Sequence, residues 1–180
     1  MFPMIFSIVT HGDESLRRKA GAVGAVTQDI KTLAGDLLET MYAAEGVGLA
    51  ANQVGREEAV CVVDVPPDAE KEECRAFNAG IAMPLAMVNP ELLASSGTQR
   101  NNEGCLSFPD IHVQITRANE ITFAFTTLEG ERKTLSARGL LARAVLHEID
   151  HLNGIPFIDR MTALTKLSIK GKLKRLLAQS

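Results

Sequence analysis

HEIDHLNG, residues 147–154, places two histidines four positions apart, with a glutamate directly after the first. On a helix, positions i and i+4 share one face. His147 and His151 then offer their ring nitrogens to one metal ion, with Glu148 beside it to take a proton from an activated water. Leu140, Leu141, Ala144 and Leu146 surround the motif, and a polar cluster on an apolar helix needs a partner. The spacing predicts a helix over 139–152, stopped by Asn153-Gly154. The bland alternative is a chance match on an ordinary amphipathic helix.

A catalytic site of this kind takes a third protein ligand and keeps one position open. Downstream of the motif there is no His and no Glu, and Asp159 is the sole acid. The third ligand is therefore expected upstream. EGCLSFP, residues 103–109, offers Cys105 beside a flexible Gly104, in a loop between strands. A free cysteine is most often a buried structural thiol. Cys61, inside a valine-rich strand, fits that role, and Cys74 is expected exposed in a charged loop. GVGLAANQVG, residues 46–55, is a third element. Gly46 and Gly48 let the backbone approach a ligand closely. Ala50 and Ala51 keep the space small, and Gln53 adds a neutral donor and acceptor. Taken alone, this stretch reads equally as a loop closing the first helix.

The chain has 180 residues, 46% apolar and 23% charged, with a net charge of −3. Such a length fits one domain, 1–180, with its own core. The charge argues against a general nucleic-acid binder. Three cysteines at irregular spacing argue against a disulfide framework. The N-terminal MFPMIF is too short to span a membrane and carries no basic leader, so the expected location is the cytoplasm.

Ile30, Leu33, Leu37, Leu38 and Met41 predict an amphipathic helix over 28–44, capped by Thr27. Residues 59–65 predict a buried strand, 66–78 an exposed acidic loop, and 86–93 a strand that stops at Pro90. EITFAFTTL, residues 120–128, alternates, and after the turn at Glu129-Gly130 RKTLS returns as its hairpin partner. Residues 164–179 predict a last helix, weakened by Gly171. Helices do not alternate regularly with strands, so the expected class is α+β. Mixed or antiparallel sheets would pack around a central metal-binding helix, with one helix towards each terminus.

Together GVGLAANQ, EGCLS and HEIDHLNG resemble, in this order, the motifs of the peptide deformylases. ESLRRKA and NPELL extend the resemblance along the chain. It implies an enzyme that removes the formyl group from the N-terminal formylmethionine of new polypeptides and releases formate. Cys105, His147 and His151 would hold the metal and Glu148 would move the proton. Gln53 and the backbone N–H of Leu106 would bind the developing oxyanion. Gly46, Val47, Gly48, Leu106, Leu140 and Ala144 would contact substrate. Ligand type suits zinc, whereas the resemblance implies iron(II) in the cell, with zinc or nickel in preparations. Seven positions after Cys105, where some members carry a substrate-contacting Arg, stands His112. Arg117 is expected to pair with Glu103. The segment from Pro66 to about Met83 is longer than in compact members, as a groove rim or a solvated insertion. Lys166, Lys170 and Lys174 would share one helical face, either solvated or against ribosomal RNA phosphates. Two other readings stay open: a zinc endopeptidase, which would cleave unformylated protein, and a structural or silent metal domain, which would show four closed ligands.

Overall fold

The computed structural model describes residues 4–178. Its first long helix, α1 (Gln28–Ala43), starts where the Thr27 hydroxyl accepts the Ile30 N–H at 3.4 Å. Ile30, Leu33, Leu37 and Met41 recur at helical spacing and are buried. They face the short strands β1 (Gly48–Ala50) and β2 (Val60–Val63). All four residues of β2 are buried, with Val60 and Val62 packing towards α1 and Cys61 and Val63 towards the opposite layer. A strand covered on both faces has to be continuously apolar, which explains VCVV.

The chain continues through α2 (Glu72–Asn78), β3 (Leu85–Ser96), β4 (Gln99–Gly104), β5 (His112–Arg117), β6 (Glu120–Thr126) and β7 (Arg132–Arg138). The helices α3 (Gly139–Leu152), α4 (Ala163–Ser168) and α5 (Lys170–Leu177) complete it. Five strands form one sheet in the order β1-β2-β3-β6-β7, and β4 with β5 forms a second. Every named strand pair is antiparallel, in keeping with the α+β class. Ile121, Phe123 and Phe125 of β6 all point to one core, as their alternation predicts. That core is completed by Leu141, Val145 and Ile149 of α3, which lies across the large sheet on the face opposite α1. The third apolar cluster joins β5, Phe108 and Ile111 to Phe157, Ile158 and Ile169, and Leu173 and Leu176 of α5 pack against it.

Three sequence expectations need correction. Residues 66–78 are not an open loop: they fold into a short 3-10 turn and α2, and Cys74 is buried rather than exposed. The segment is still mostly exposed, as a solvated insertion would be, and none of it lines the groove described below, but it is anchored at Glu70. The Glu70 carboxylate accepts the Leu140 and Leu141 N–H groups at 3.0 and 2.7 Å, capping α3. β3 does not stop at Pro90 but runs to Ser96. The register slips between Val88 and Glu91, and a proline at a bulge forfeits no ladder hydrogen bond. The tail is not one helix but two, broken at Ile169, so Lys166 stands on α4 while Lys170 and Lys174 stand on α5. The last position of that predicted helix, residue 179, lies outside the described residues. Among the described residues no helix is long and apolar enough to cross a membrane.

Candidate metal centre and active site

Three elements converge on one point. α3 presents His147 and His151 one turn apart, β4 delivers Cys105 just past its end, and β1 leads into the turn that carries Gln53. The ligand atoms of Cys105, His147 and His151 lie within 4.8 Å of one another. His147 Nε2 and His151 Nε2 are 3.0 Å apart, and Cys105 Sγ is 3.2 Å from His151 Nε2. Two imidazoles this close cannot both be charged. Burial and the neighbouring His147 push the His151 pKa down. On His147 burial works the same way, but the Cys105 sulfur and Glu103 outweigh it and raise its pKa.

Glu148 is 3% exposed, and its Oε2 has no hydrogen-bond partner among the described residues. Burial raises its carboxyl pKa to about 7, with the charges of His147 and Arg117 pulling the other way. A carboxyl poised near neutrality both accepts and returns protons. Its seat exists because residue 48 is glycine: a Cβ there would lie 2.9 Å from Glu148 Cδ. Gly46 serves the same purpose for Leu106, whose Cδ1 would lie 2.7 Å from an added Cβ. Gln53 is 1% exposed, its Oε1 accepting the Ala50 N–H at 3.0 Å and its Nε2 donating to Ser107 Oγ at 3.2 Å. The Leu106 N–H has no partner among the described residues.

These groups open on a groove of about 630 Å³. Gly46, Val47, Gly48, Leu106, His112, Leu140 and Ala144 line it. Every sequence-predicted site residue but His151 lines this cavity; His151 is 1% exposed and lies behind it, its Nε2 3.0 Å from that of His147. Val47 is 40% exposed at the edge of the cavity. A separate cavity of about 490 Å³, beside His11, Arg17 and Phe108, holds none of the ligand atoms.

The expected Arg117–Glu103 pair is present, within a larger buried network. Glu103 accepts Arg117 Nε at 2.7 Å, Arg143 Nη1 at 2.6 Å and His147 Nδ1 at 2.7 Å. Arg117 also reaches Asp150 at 2.8 Å, which Arg160 holds from the other side at 2.9 Å. Burial alone would raise the Glu103 pKa, but the donors from Arg117 and His147 hold it well below the usual carboxylate range. Glu103 therefore stays ionised and fixes the His147 tautomer, leaving Nε2 free to bind metal. Sequence reasoning missed Arg143, Asp150 and Ser107. The first two left a trace, since a charge four before and three after His147 falls on its helix face. Ser107 left none beyond its place next to Leu106.

The donor set fits one divalent ion. A thiolate and two neutral imidazoles suit a borderline-soft metal, and the unpartnered Glu148 Oε2 lies next to them without belonging to them.

Comparison with known proteins gives one result throughout. The family model described as polypeptide deformylase matches residues 5–167. A protein of Nitrosococcus oceani named peptide deformylase is 42% identical over 171 residues, spanning 95% of each chain. The crystal structure of peptide deformylase from Thermus thermophilus superposes with a TM-score of 0.85 at 32% identity, covering 98% of this chain and 100% of that one. A peptide deformylase from Legionella pneumophila gives 0.82 at 34%, covering 98% and 99%.

Proposed function

The chain belongs to the peptide deformylase family, and from that premise we propose how its groove performs the family's reaction. The protein is a hydrolase that removes the N-formyl group from nascent polypeptides, and it uses one divalent metal ion. One observation supports the assignment of roles above all: three ligand atoms lie within 4.8 Å of one another at a groove that an unpartnered buried carboxylate and an anchored amide donor line.

Cys105 Sγ, His147 Nε2 and His151 Nε2 hold the ion. When bound it supplies a Lewis acid and lowers the pKa of a water towards about 7. Glu148 Oε2 takes the proton of the attacking water and passes one to the leaving amine. Gln53 Nε2 and the Leu106 N–H stabilise the oxyanion, at roughly 3 kcal/mol each. The walls at Gly46 and Gly48 leave room for a formyl hydrogen and exclude larger acyl groups. Val47, Leu106, Leu140 and Ala144 receive the methionine side chain, and His112 lies where the following residues pass.

We assign iron(II) as the metal in the cell, with zinc or nickel in preparations. We further assign residues 1–180 to one catalytic domain acting in the cytoplasm. α5 carries Lys170, Lys172, Lys174 and Arg175 within eight residues. We place it against ribosomal RNA phosphates, so co-sedimentation with ribosomes should weaken steeply with salt; salt-independent or absent association would remove that partner.

The decisive experiment is formate release from a formyl-Met peptide by protein purified without oxygen and loaded with iron(II) or nickel(II). Turnover with that peptide and none with its acetyl analogue is the expected result. No formate from metal-loaded protein would overturn the assignment.

A further inference from the structure

Gln53 can stabilise an oxyanion only if its amide is held with Nε2, not Oε1, towards the reacting centre. One end is fixed by the backbone: an N–H group only donates, so the Gln53 atom 3.0 Å from the Ala50 nitrogen is the oxygen. The other end is fixed by a single side chain. Nε2 gives one hydrogen to Ser107 Oγ at 3.2 Å, and its remaining donor capacity faces Cys105 Sγ at 3.6 Å. Ser107 is fully buried and lies two residues beyond that ligand. The two loops are tied by a common brace. The Val9 N–H donates to the Gln53 carbonyl at 2.8 Å, and the His11 N–H to the Ser107 carbonyl at 2.9 Å. One extended stretch thus sets the spacing between the loop that carries the amide and the loop that carries its acceptor.

We propose that Ser107 is a positioning residue: its hydroxyl accepts one Nε2 hydrogen of Gln53, so that the second stays aimed at the metal-side oxygen of the substrate. Ser107 touches neither the substrate nor the ion. This rests on the oxyanion role given to Gln53 above. Without the acceptor, only the Ala50 N–H at Oε1 and the long sulfur contact at Nε2 hold the amide, so Nε2 is aimed less firmly. A misaimed donor slows the chemical step while leaving substrate binding intact.

The test is a double-mutant cycle on the nickel(II)-loaded enzyme: wild type, Ser107→Ala, Gln53→Ala and the double variant, each with kcat, KM and metal content. Ser107→Ala should lower kcat roughly tenfold at unchanged KM and metal content. In the Gln53→Ala background it should cost nothing further, because a residue acting only through Gln53 has nothing left to act on. Full additivity would overturn the proposal. If instead Gln53→Ala alone leaves kcat intact, the oxyanion role fails. The brace is then decided by a readout independent of activity, the Gln53 side-chain amide protons in NMR spectra of the metal-free protein, assigned by their loss in Gln53→Ala. Two resolved signals, one protected from solvent exchange, are expected. A rapidly exchanging pair in the wild-type protein would overturn the brace whether or not Ser107→Ala folds.

Discussion

Replacing Glu103 by Gln tests the buried network at its centre. The two carboxylate oxygens divide four donors evenly. Oε1 receives Arg117 Nη2 and His147 Nδ1, and Oε2 receives Arg117 Nε and Arg143 Nη1. A glutamine offers one oxygen and one NH2 group, so either orientation points two donors at a donor. It also removes a charge that is 5% exposed from between two guanidiniums that are 4% and 3% exposed. Deleting one partner of a buried ion pair costs about 3–5 kcal/mol, because the remaining charge stays desolvated. For a chain of this size each kcal/mol shifts Tm by roughly 2–4 °C, which gives a fall of about 6–20 °C. Stability should be measured on chelator-treated protein, since a bound ion would add its own stabilisation by mass action. Separately, His147 loses the acceptor that fixes its tautomer, and metal affinity should drop about 10–100-fold in a chelator competition. A Tm fall under about 2 °C, with unaltered metal affinity, would refute the account of Glu103 as the anchor of both fold and ligand.

Other substitutions separate chemistry from scaffold. Glu148→Ala should retain metal and lose turnover by about 10²–10⁴-fold; concurrent loss of metal would give Glu148 a ligand or structural role. Gly48→Ala puts a methyl 2.9 Å from Glu148 Cδ, so the carboxylate must swing from its seat and kcat should fall by about 10²-fold at unchanged metal content. A kcat equal to wild type would show that the seat is not needed. Cys105→Ser replaces a soft thiolate by a hydroxyl and should weaken metal binding; unchanged metal content would remove Cys105 from the ligand set. Glu70→Ala uncovers two N–H groups at the start of α3 and should cost about 1–2 kcal/mol in urea unfolding. Activity per bound metal should stay the same, and a specific loss of turnover would mean that the cap shapes the groove.

The parts of the site legible in the sequence are those whose chemistry is local. HExxH declares its face through helical spacing alone, and Thr27 and Gly154 mark helix ends through backbone preferences that need no tertiary partner. VCVV and EITFAFT declare strands through side-chain period. The misreadings share one cause, long-range compensation of a local signal. EECRAFN is charged enough to read as loop, yet it becomes α2 because Cys74 and Asn78 are buried against the start of α3, with Asn78 bonded to the Arg138 carbonyl and amide. Pro90 ends a strand only if its missing N–H is needed, and the register slip at Val88 removes the need. The tail bends at Ile169 because that side chain turns into the cluster with Phe108 and Phe157, a preference invisible in KLSIKGKLK.

That bend connects the basic tail to the loop that carries Cys105. Ile169, Leu173 and Leu176 pack on the cluster that includes Phe108 and Ile111, and Cys105 packs against the same cluster. The Lys172 ammonium donates to the Asp110 carbonyl at 3.2 Å. The segment between Cys105 and β5 is thus backed by residues that lie past the end of the family match at residue 167. Apolar burial there is worth about 0.8 kcal/mol per methylene. Leu173 and Leu176 are half-buried, so shaving both to Ala should cost roughly 2 kcal/mol, less than the loss predicted for Glu103→Gln. The loss should fall on the 105–111 loop, as faster amide exchange and a higher KM. A larger global loss of stability at unchanged KM would place α5 in the core instead.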